Sequence, residues 1–226
     1  MNRSQMDPAT GRPPETRSLR VIAVAGIDPD GGAGLVRDIL TGAALGVAVA
    51  AVGTAWTQQQ PGRVVVEPRA ADAVGEALSE ALARHPAAAV KIGMVGRVDV
   101  ATAIARALET APGRPVIVDP VLAASGGGAL WSGAPADLLP LLRRATLVTP
   151  NVVEAAALSG KPVGDPEQAV AAAQVLRGQG VAAVLIKGGH LGDTPATVTD
   201  ILVDAGGVRR FSRPRVAGPT PRGTGC

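Results

Sequence analysis

The chain closes on Arg222-Gly223-Thr224-Gly225-Cys226, where a glycine turn meets the only cysteine of the protein. A Gly-Thr-Gly turn of this kind opens a helix, gathering backbone N–H groups and the positive end of the helix dipole into a site for anions. A second constellation is Asn151-x-x-Glu154, directly after Pro150. Residues three apart on a helix share a face, so both side chains can point into one site. The same spacing also describes an ordinary helix cap, and both readings stand. A third is the loop Gly26-Ile27-Asp28-Pro29-Asp30-Gly31-Gly32-Ala33-Gly34, with Asp38 about one turn beyond it. Its glycines let backbone approach a small ligand closely.

Several other chemistries are excluded. Gly26 to Gly31 has the spacing that begins a P-loop, but Gly32-Ala33 stands where Lys-Ser/Thr is required. Gly178-Gln179-Gly180 nears a dinucleotide fingerprint, yet it precedes a strand instead of opening a helix. One cysteine rules out an internal disulfide and a cysteine zinc cluster, and His85 and His190 do not fall at metal-ligand spacing. The net charge is +3, two units of it within the first twenty residues, and no basic stripe interleaved with aromatics follows. The expectation is no nucleic-acid partner. No apolar signal region opens the chain, and the stretch from Gly46 to Trp56 is far short of the ~18 residues a membrane helix needs. A cytoplasmic enzyme without a membrane partner fits these features.

Elements must place those residues together. At 226 residues the chain suits one large domain. Apolar residues make up 46% and aromatics 1% (Trp56, Trp131, Phe211), so Ala, Val, Leu and Ile build the core, as in buried parallel strands under helices. Trp56 reads as a packing residue. The β-branched runs predict strands over 19–25, 47–54, 64–67, 88–92, 115–119, 147–149, 182–187 and 200–203. Apolar positions at three and four residues predict helices over 33–45, 70–83, 99–109, 134–144, 152–159 and 166–178. This βα alternation predicts an α/β fold with a mostly parallel sheet, helices on both faces and ligands at the carboxyl ends of the strands. Residues 1–18, rich in Pro, Arg, Ser and Thr, read as a disordered leader before a single domain over 19–226.

The motifs do follow the strands. AGIDPDGGAG with Asp38, KIGM at 91–94, VDPV at 118–121, TPNVVEA at 149–155, KGGH at 187–190 and the final GTGC resemble, in order, the hydroxymethylpyrimidine/phosphomethylpyrimidine kinases of the ribokinase-like superfamily. The resemblance implies a three-layer sandwich. It also implies two successive ATP-dependent phosphorylations of the aminopyrimidine precursor in thiamine biosynthesis, with ATP and Mg2+ as cofactors. The pyrimidine would meet Gly26, Asp38, Gln59, Met94 and Val121, with Asp38 binding the ring's donors. Three consecutive glutamines leave Gln58 and Gln60 as alternatives to Gln59. Asn151 and Glu154 would organise magnesium and the triphosphate, Glu154 serving as the metal ligand. Lys187 would set a compact charge on the phosphates, as phosphoryl transfer demands.

Gly223, Thr224 and Gly225 would hold the γ-phosphoryl, and Cys226 stands where most ribokinase relatives carry a catalytic Asp. A thiol of pKa ~8.5 is a poor base until a helix N-terminus or a cation lowers it. Lys91 reads as structural, its stem lying over the sheet edge. The resemblance admits a homodimer. Three departures from the family pattern stand out: Pro221-Arg222 before the anion turn, Ile27 for a small hydroxyl residue, and no flanking Lys at the flap-like Ser125–Gly128. Family members continue past the cysteine into further helices, so the expectation is a kinase domain lacking them. Two alternatives accompany the main reading: a pyridoxal kinase of the same superfamily, and a catalytically impaired remnant that binds the pyrimidine. Pyridoxal kinases on this template carry a second, flap cysteine, and Cys226 is alone.

Overall fold

The computed structural model describes residues 19–60, 63–85, 87, 89–124, 127–189, 191 and 196–216, with only the backbone at 59, 60 and 63. The expected leader, the Gly223–Cys226 turn and His190 lie outside the described residues, as do Ser125 and Gly126 of the flap-like loop. Nine strands form one sheet: β1 (Arg20–Ile27), β2 (Ala48–Gln60), β3 (Arg63–Pro68), β4 (Ala89–Ile92), β5 (Val116–Val118), β6 (Leu147–Val148), β7 (Val184–Ile186), β8 (Thr197–Asp204) and β9 (Gly207–Pro214). Helices are α1 (Gly34–Ala44), α2 (Ala71–Arg84), α3 (Val98–Glu109), α4 (Leu139–Leu142), α5 (Val152–Ser159) and α6 (Pro166–Gly178).

Strand order is β3-β2-β1-β4-β5-β6-β7-β8-β9. Parallel pairing runs from β2 through β1, β4, β5 and β6 to β7. Antiparallel pairing adds β3 to β2, β8 to β7 and β9 to β8. The sheet is therefore mixed, where βα alternation predicts a mostly parallel one. The difference arises at both margins, where no helix intervenes among the described residues. β2 runs on through its polar end and doubles back as β3, and β8 turns into β9 across Ala205-Gly206. That turn is closed by Gly206 N–H donating to Asp204 Oδ1 at 2.7 Å, with Gly207 at φ +108°, which only glycine adopts freely.

The central strands are buried because their side chains are aliphatic on the face that α2 and α3 cover. Ile22 and Val24 of β1, Val90 and Ile92 of β4 and Leu78 of α2 are fully buried in one cluster. Each such side chain contributes roughly 1.5–3 kcal/mol by leaving water. α5 and α6 match their predicted limits, since Asn151 and Asp165 cap them and Pro166 takes the first helical position, where no N–H is needed. The helix predicted over 134–144 is instead a 3-10 turn, Pro135–Leu138, running into the short α4. Pro140 would fall inside a helix over 134–144, where it lacks the N–H for the ladder and its ring meets the carbonyl one turn back, so a long regular helix cannot form there. Among the described residues, no helix is long and apolar enough to cross a membrane.

Candidate functional site

Three adjacent parallel strands deliver polar residues at their carboxyl ends. Asp119 follows β5, Thr149 and Asn151 follow β6, and Lys187 follows β7. The turns after β6 and β7 are locked together, because Lys187 N–H donates to the Pro150 carbonyl at 2.9 Å. Lys187 Nζ then reaches Asp119 Oδ1 at 2.8 Å, with Thr149 Oγ1 at 3.4 Å from the same oxygen. Sequence reasoning passed over Asp119, although it lies in the VDPV motif that supplied Val121. Its partner is 68 residues away, and nothing local announces the pair.

Asn151 and Glu154 cap α5 reciprocally. Glu154 N–H donates to Asn151 Oδ1 at 2.9 Å, and Asn151 N–H donates to Glu154 Oε2 at 2.8 Å. The cap and the strand-end cluster coincide, because Glu154 feels the charges of both Lys187 and Asp119. Glu154 is 5% exposed. Burial pushes its carboxyl from an ordinary 4.5 up to about 7, against the opposing Asn151 N–H and the Lys187 charge.

The raised value has a consequence for stability. Between pH 4.5 and 7 the folded protein holds a proton on Glu154 that the unfolded chain has released, so stability falls as pH rises through that window. The full effect is about 3 kcal/mol. Urea unfolding at the two ends of the window is expected to show that loss in the parent and not in Glu154→Gln, which keeps the cap acceptor but cannot ionise. An equal pH slope in both proteins would contradict the assignment.

The other half of the site gathers at the ends of β1, β2 and β4. A Cβ on Gly26 would stand 2.7 Å from Met94 Sδ, so any larger residue displaces the methionine. Gly34 has φ +59°, and a Cβ there would fall 2.2 Å from the Gly26 carbonyl oxygen. Only glycine therefore allows the loop to fold back against β1. The buried Asp28, unassigned from sequence, shapes that loop: its Oδ2 accepts from Ala33 N–H at 3.1 Å and its carbonyl from Gly31 N–H at 3.0 Å. Thr57 Oγ1 donates to the Ile27 carbonyl at 3.1 Å and Thr54 Oγ1 to the Met94 carbonyl at 2.8 Å. These bonds tie β2 to the turns that leave β1 and β4.

Met94 packs with Ala55 and Leu130 into a small apolar cluster that Val64, Val66 and Val121 border. Gly26, Met94 and Val121 are thus brought together. Gln58 is exposed and lines a depression together with Pro29, Trp56, Val65 and Glu67. Alternation along β2 sets that face against the one carrying Ala55. The side chain of Gln59 lies outside the described residues. Trp56 is 52% exposed, so it lines this depression and does not pack in the core.

Asp38, on α1, is joined to Lys91 of β4 by contacts of 2.8 and 3.0 Å. β4 lies between β1 and β5, so the Lys91 stem crosses the interior of the sheet and not its edge. Among the described residues, no group of three or more His, Cys, Asp and Glu side chains could hold a metal ion. The carboxylates at the strand ends are Asp119 and Glu154, beside the Thr149 and Asn151 oxygens.

The phosphomethylpyrimidine kinase family model matches residues 28–226. The hydroxymethylpyrimidine/phosphomethylpyrimidine kinase of Aquifex aeolicus is 36% identical over 208 residues, spanning 91% of this chain and 81% of the relative. Among solved structures, the phosphomethylpyrimidine kinase of Clostridium difficile superposes with a TM-score of 0.74 at 28% identity, covering 85% of this chain and 84% of that one. The pyridoxal kinase of Bacillus subtilis, solved as an ADP complex, superposes at 0.81 with 25% identity, over 92% of this chain and 80% of its own. The span from 28 to 226 takes in Asp28–Gly34 of the glycine loop, the Met94 turn and the strand ends that carry Asp119, Asn151 and Lys187, and the chain belongs to the phosphomethylpyrimidine kinase family.

Proposed function

We propose that the chain transfers the γ-phosphoryl of ATP to 4-amino-5-hydroxymethyl-2-methylpyrimidine and then to its monophosphate, as a cytoplasmic enzyme of thiamine diphosphate biosynthesis. Residues 19–226 act in this reading as one three-layer ribokinase-like unit. The observation that carries it is the pairing of an apolar pocket wall with a charged cluster along one row of strand ends. Gly26, Met94 and Val121 suit a flat, mostly apolar ring, while Gln59 and Asp38 serve the ring's polar edge. Gln58 faces away from Met94, which favours Gln59 as the reader.

The charged cluster suits the nucleotide. Lys187 supplies a compact cation for the phosphates, and Asp119 holds it in place at 2.8 Å. Magnesium keeps several waters and takes one or two carboxylates, so Glu154 and Asp119 with the Asn151 amide are a sufficient donor set. A buried carboxyl with a pKa of about 7 is suited to a cation that would draw it into the ionised form. When bound, the ion would neutralise phosphate charge. The chain's own residues orient the phosphates and exclude water. Gly223, Thr224 and Gly225 complete the reading as N–H donors to the γ-phosphoryl, and Cys226 stands at the position of the catalytic base.

The likeness to the Bacillus pyridoxal kinase favours a second reading, pyridoxal as the acceptor. One assay separates the two. With ATP and magnesium, ADP release is expected with the hydroxymethylpyrimidine and not above background with pyridoxal. The reverse pattern would replace the first reading by the second.

A further inference from the structure

The Asp38–Lys91 pair joins two motifs that lie 53 residues apart in sequence, the segment after the glycine loop and the strand that leads to Met94. Both carboxylate oxygens of Asp38 accept from Lys91 Nζ, at 3.0 and 2.8 Å. The surrounding residues make room for this contact. Lys91 stands in register with Ala23 of β1. A Cβ on Gly93 would lie 2.9 Å from Lys91 Nζ and 3.2 Å from the Ala25 Cβ. The ammonium is therefore seated in a hollow formed by absent side chains, one residue before Met94.

That hollow also explains the residue type. The chain holds nineteen arginines and only three lysines. A guanidinium is broad and planar, whereas an ammonium is a compact point charge that fits beside Gly93. α1 itself rests on β1, with Leu35 packed against Ala23 and Ala25. Asp38, three residues after Leu35, shares that sheet-facing side of the helix, and the pair ties it across β1 to β4 just before Met94.

We propose that Lys91 is a positioning residue of the pyrimidine subsite: it acts through Asp38, fixing that carboxylate at the mouth of the pocket where it accepts from the ring's amino group. This rests on the reading of Asp38 as a ring-binding group. A pyrimidine presents the same amino edge in both phosphorylation steps, so Lys91 serves binding and leaves the phosphoryl chemistry to the Lys187 cluster.

The test compares Lys91→Met, Asp38→Asn and the double variant in the full chain, with thermal unfolding confirming that each is folded. Lys91→Met is expected to raise KM for the hydroxymethylpyrimidine about tenfold, as expected for loss of one charged hydrogen bond. kcat is expected to stay within a factor of about two, because uniform binding alone is lost. The double variant is expected to match Asp38→Asn, since the lysine has nothing left to act through. A fall in kcat with KM unchanged, no change in either constant, or an effect that adds fully to that of Asp38→Asn would each overturn the proposal. If Asp38→Asn itself leaves KM unaltered, the ring-binding reading of Asp38 falls, and the positioning role falls with it. A raised KM in Asp38→Asn beside a normal one in Lys91→Met overturns the positioning role alone.

Discussion

Lys187→Met is expected to lower kcat roughly a hundredfold to a thousandfold while leaving KM for the pyrimidine near its parent value. The loss is large because the phosphoryl transition state needs charge neutralisation and positioning more than covalent help. Lys187 Nζ, in contact with Asp119 at 2.8 Å, is the ammonium that the three strand ends bring to their shared cluster. Its removal leaves the Asp119 carboxylate without that counter-charge, so the cluster loses its attraction for phosphates. Glu154 reports the change independently. Lys187 now lowers its pKa, so Lys187→Met is expected to raise it further and to move the ascending limb of the pH–rate profile upward. Steady-state ADP release across pH 5–9, with saturating pyrimidine, measures both effects. An unchanged kcat would remove Lys187 from the reaction.

The largest effect on folding is expected from Gly188→Ala. A Cβ on Gly188 would lie 1.7 Å from the Thr199 carbonyl oxygen and 2.5 Å from its carbon, both backbone atoms of β8. No rotamer change relieves such a contact, because the obstacle is main chain. The Gly188 N–H also donates to Asp200 Oδ1 at 2.8 Å, so the strands cannot part without losing that bond. Asp200 in turn pairs with Arg213 of β9, so the junction reaches both strands of the β8–β9 hairpin. Overpacking against rigid backbone costs about 3 kcal/mol or more, which for a chain of this size lowers Tm by about 10 °C. A thermal midpoint within error of the parent would show that β8 shifts freely. Lys187 stands next in the chain, so activity is expected to fall together with stability.

The sequence made the local and periodic features legible and hid the long-range ones. α5 and α6 could be delimited to the residue because each begins with a capping side chain, and α5 ends at Gly160 with φ +66°. β9 was not foreseen. Its residues, Gly-Val-Arg-Arg-Phe-Ser-Arg-Pro, are exposed throughout and show no apolar alternation. Pairing with β8 and ion pairs from Arg209, Arg210 and Arg213 to acidic neighbours hold it instead. An arginine-rich outermost strand also discourages edge-to-edge association.

β2 runs six residues beyond its predicted end because Thr57–Gln60, polar as they are, pair with β3. The candidate site divides along the same line. Gly26, Met94 and Val121 converge, and the glycine loop follows its strand, because motifs placed after parallel strands share one edge of the sheet. The ion pairs that organise the site, Asp119 with Lys187 and Asp38 with Lys91, join residues more than fifty positions apart. Only the strand order brings them together, and that order is not written in any local pattern.

The most direct measurement of the central claim is mass analysis of the pyrimidine after incubation of the purified chain with ATP and magnesium. The expected result is conversion of the hydroxymethylpyrimidine first to its monophosphate and then to its diphosphate, with pyridoxal unchanged in a parallel reaction. Unmodified pyrimidine beside newly formed pyridoxal phosphate would contradict it.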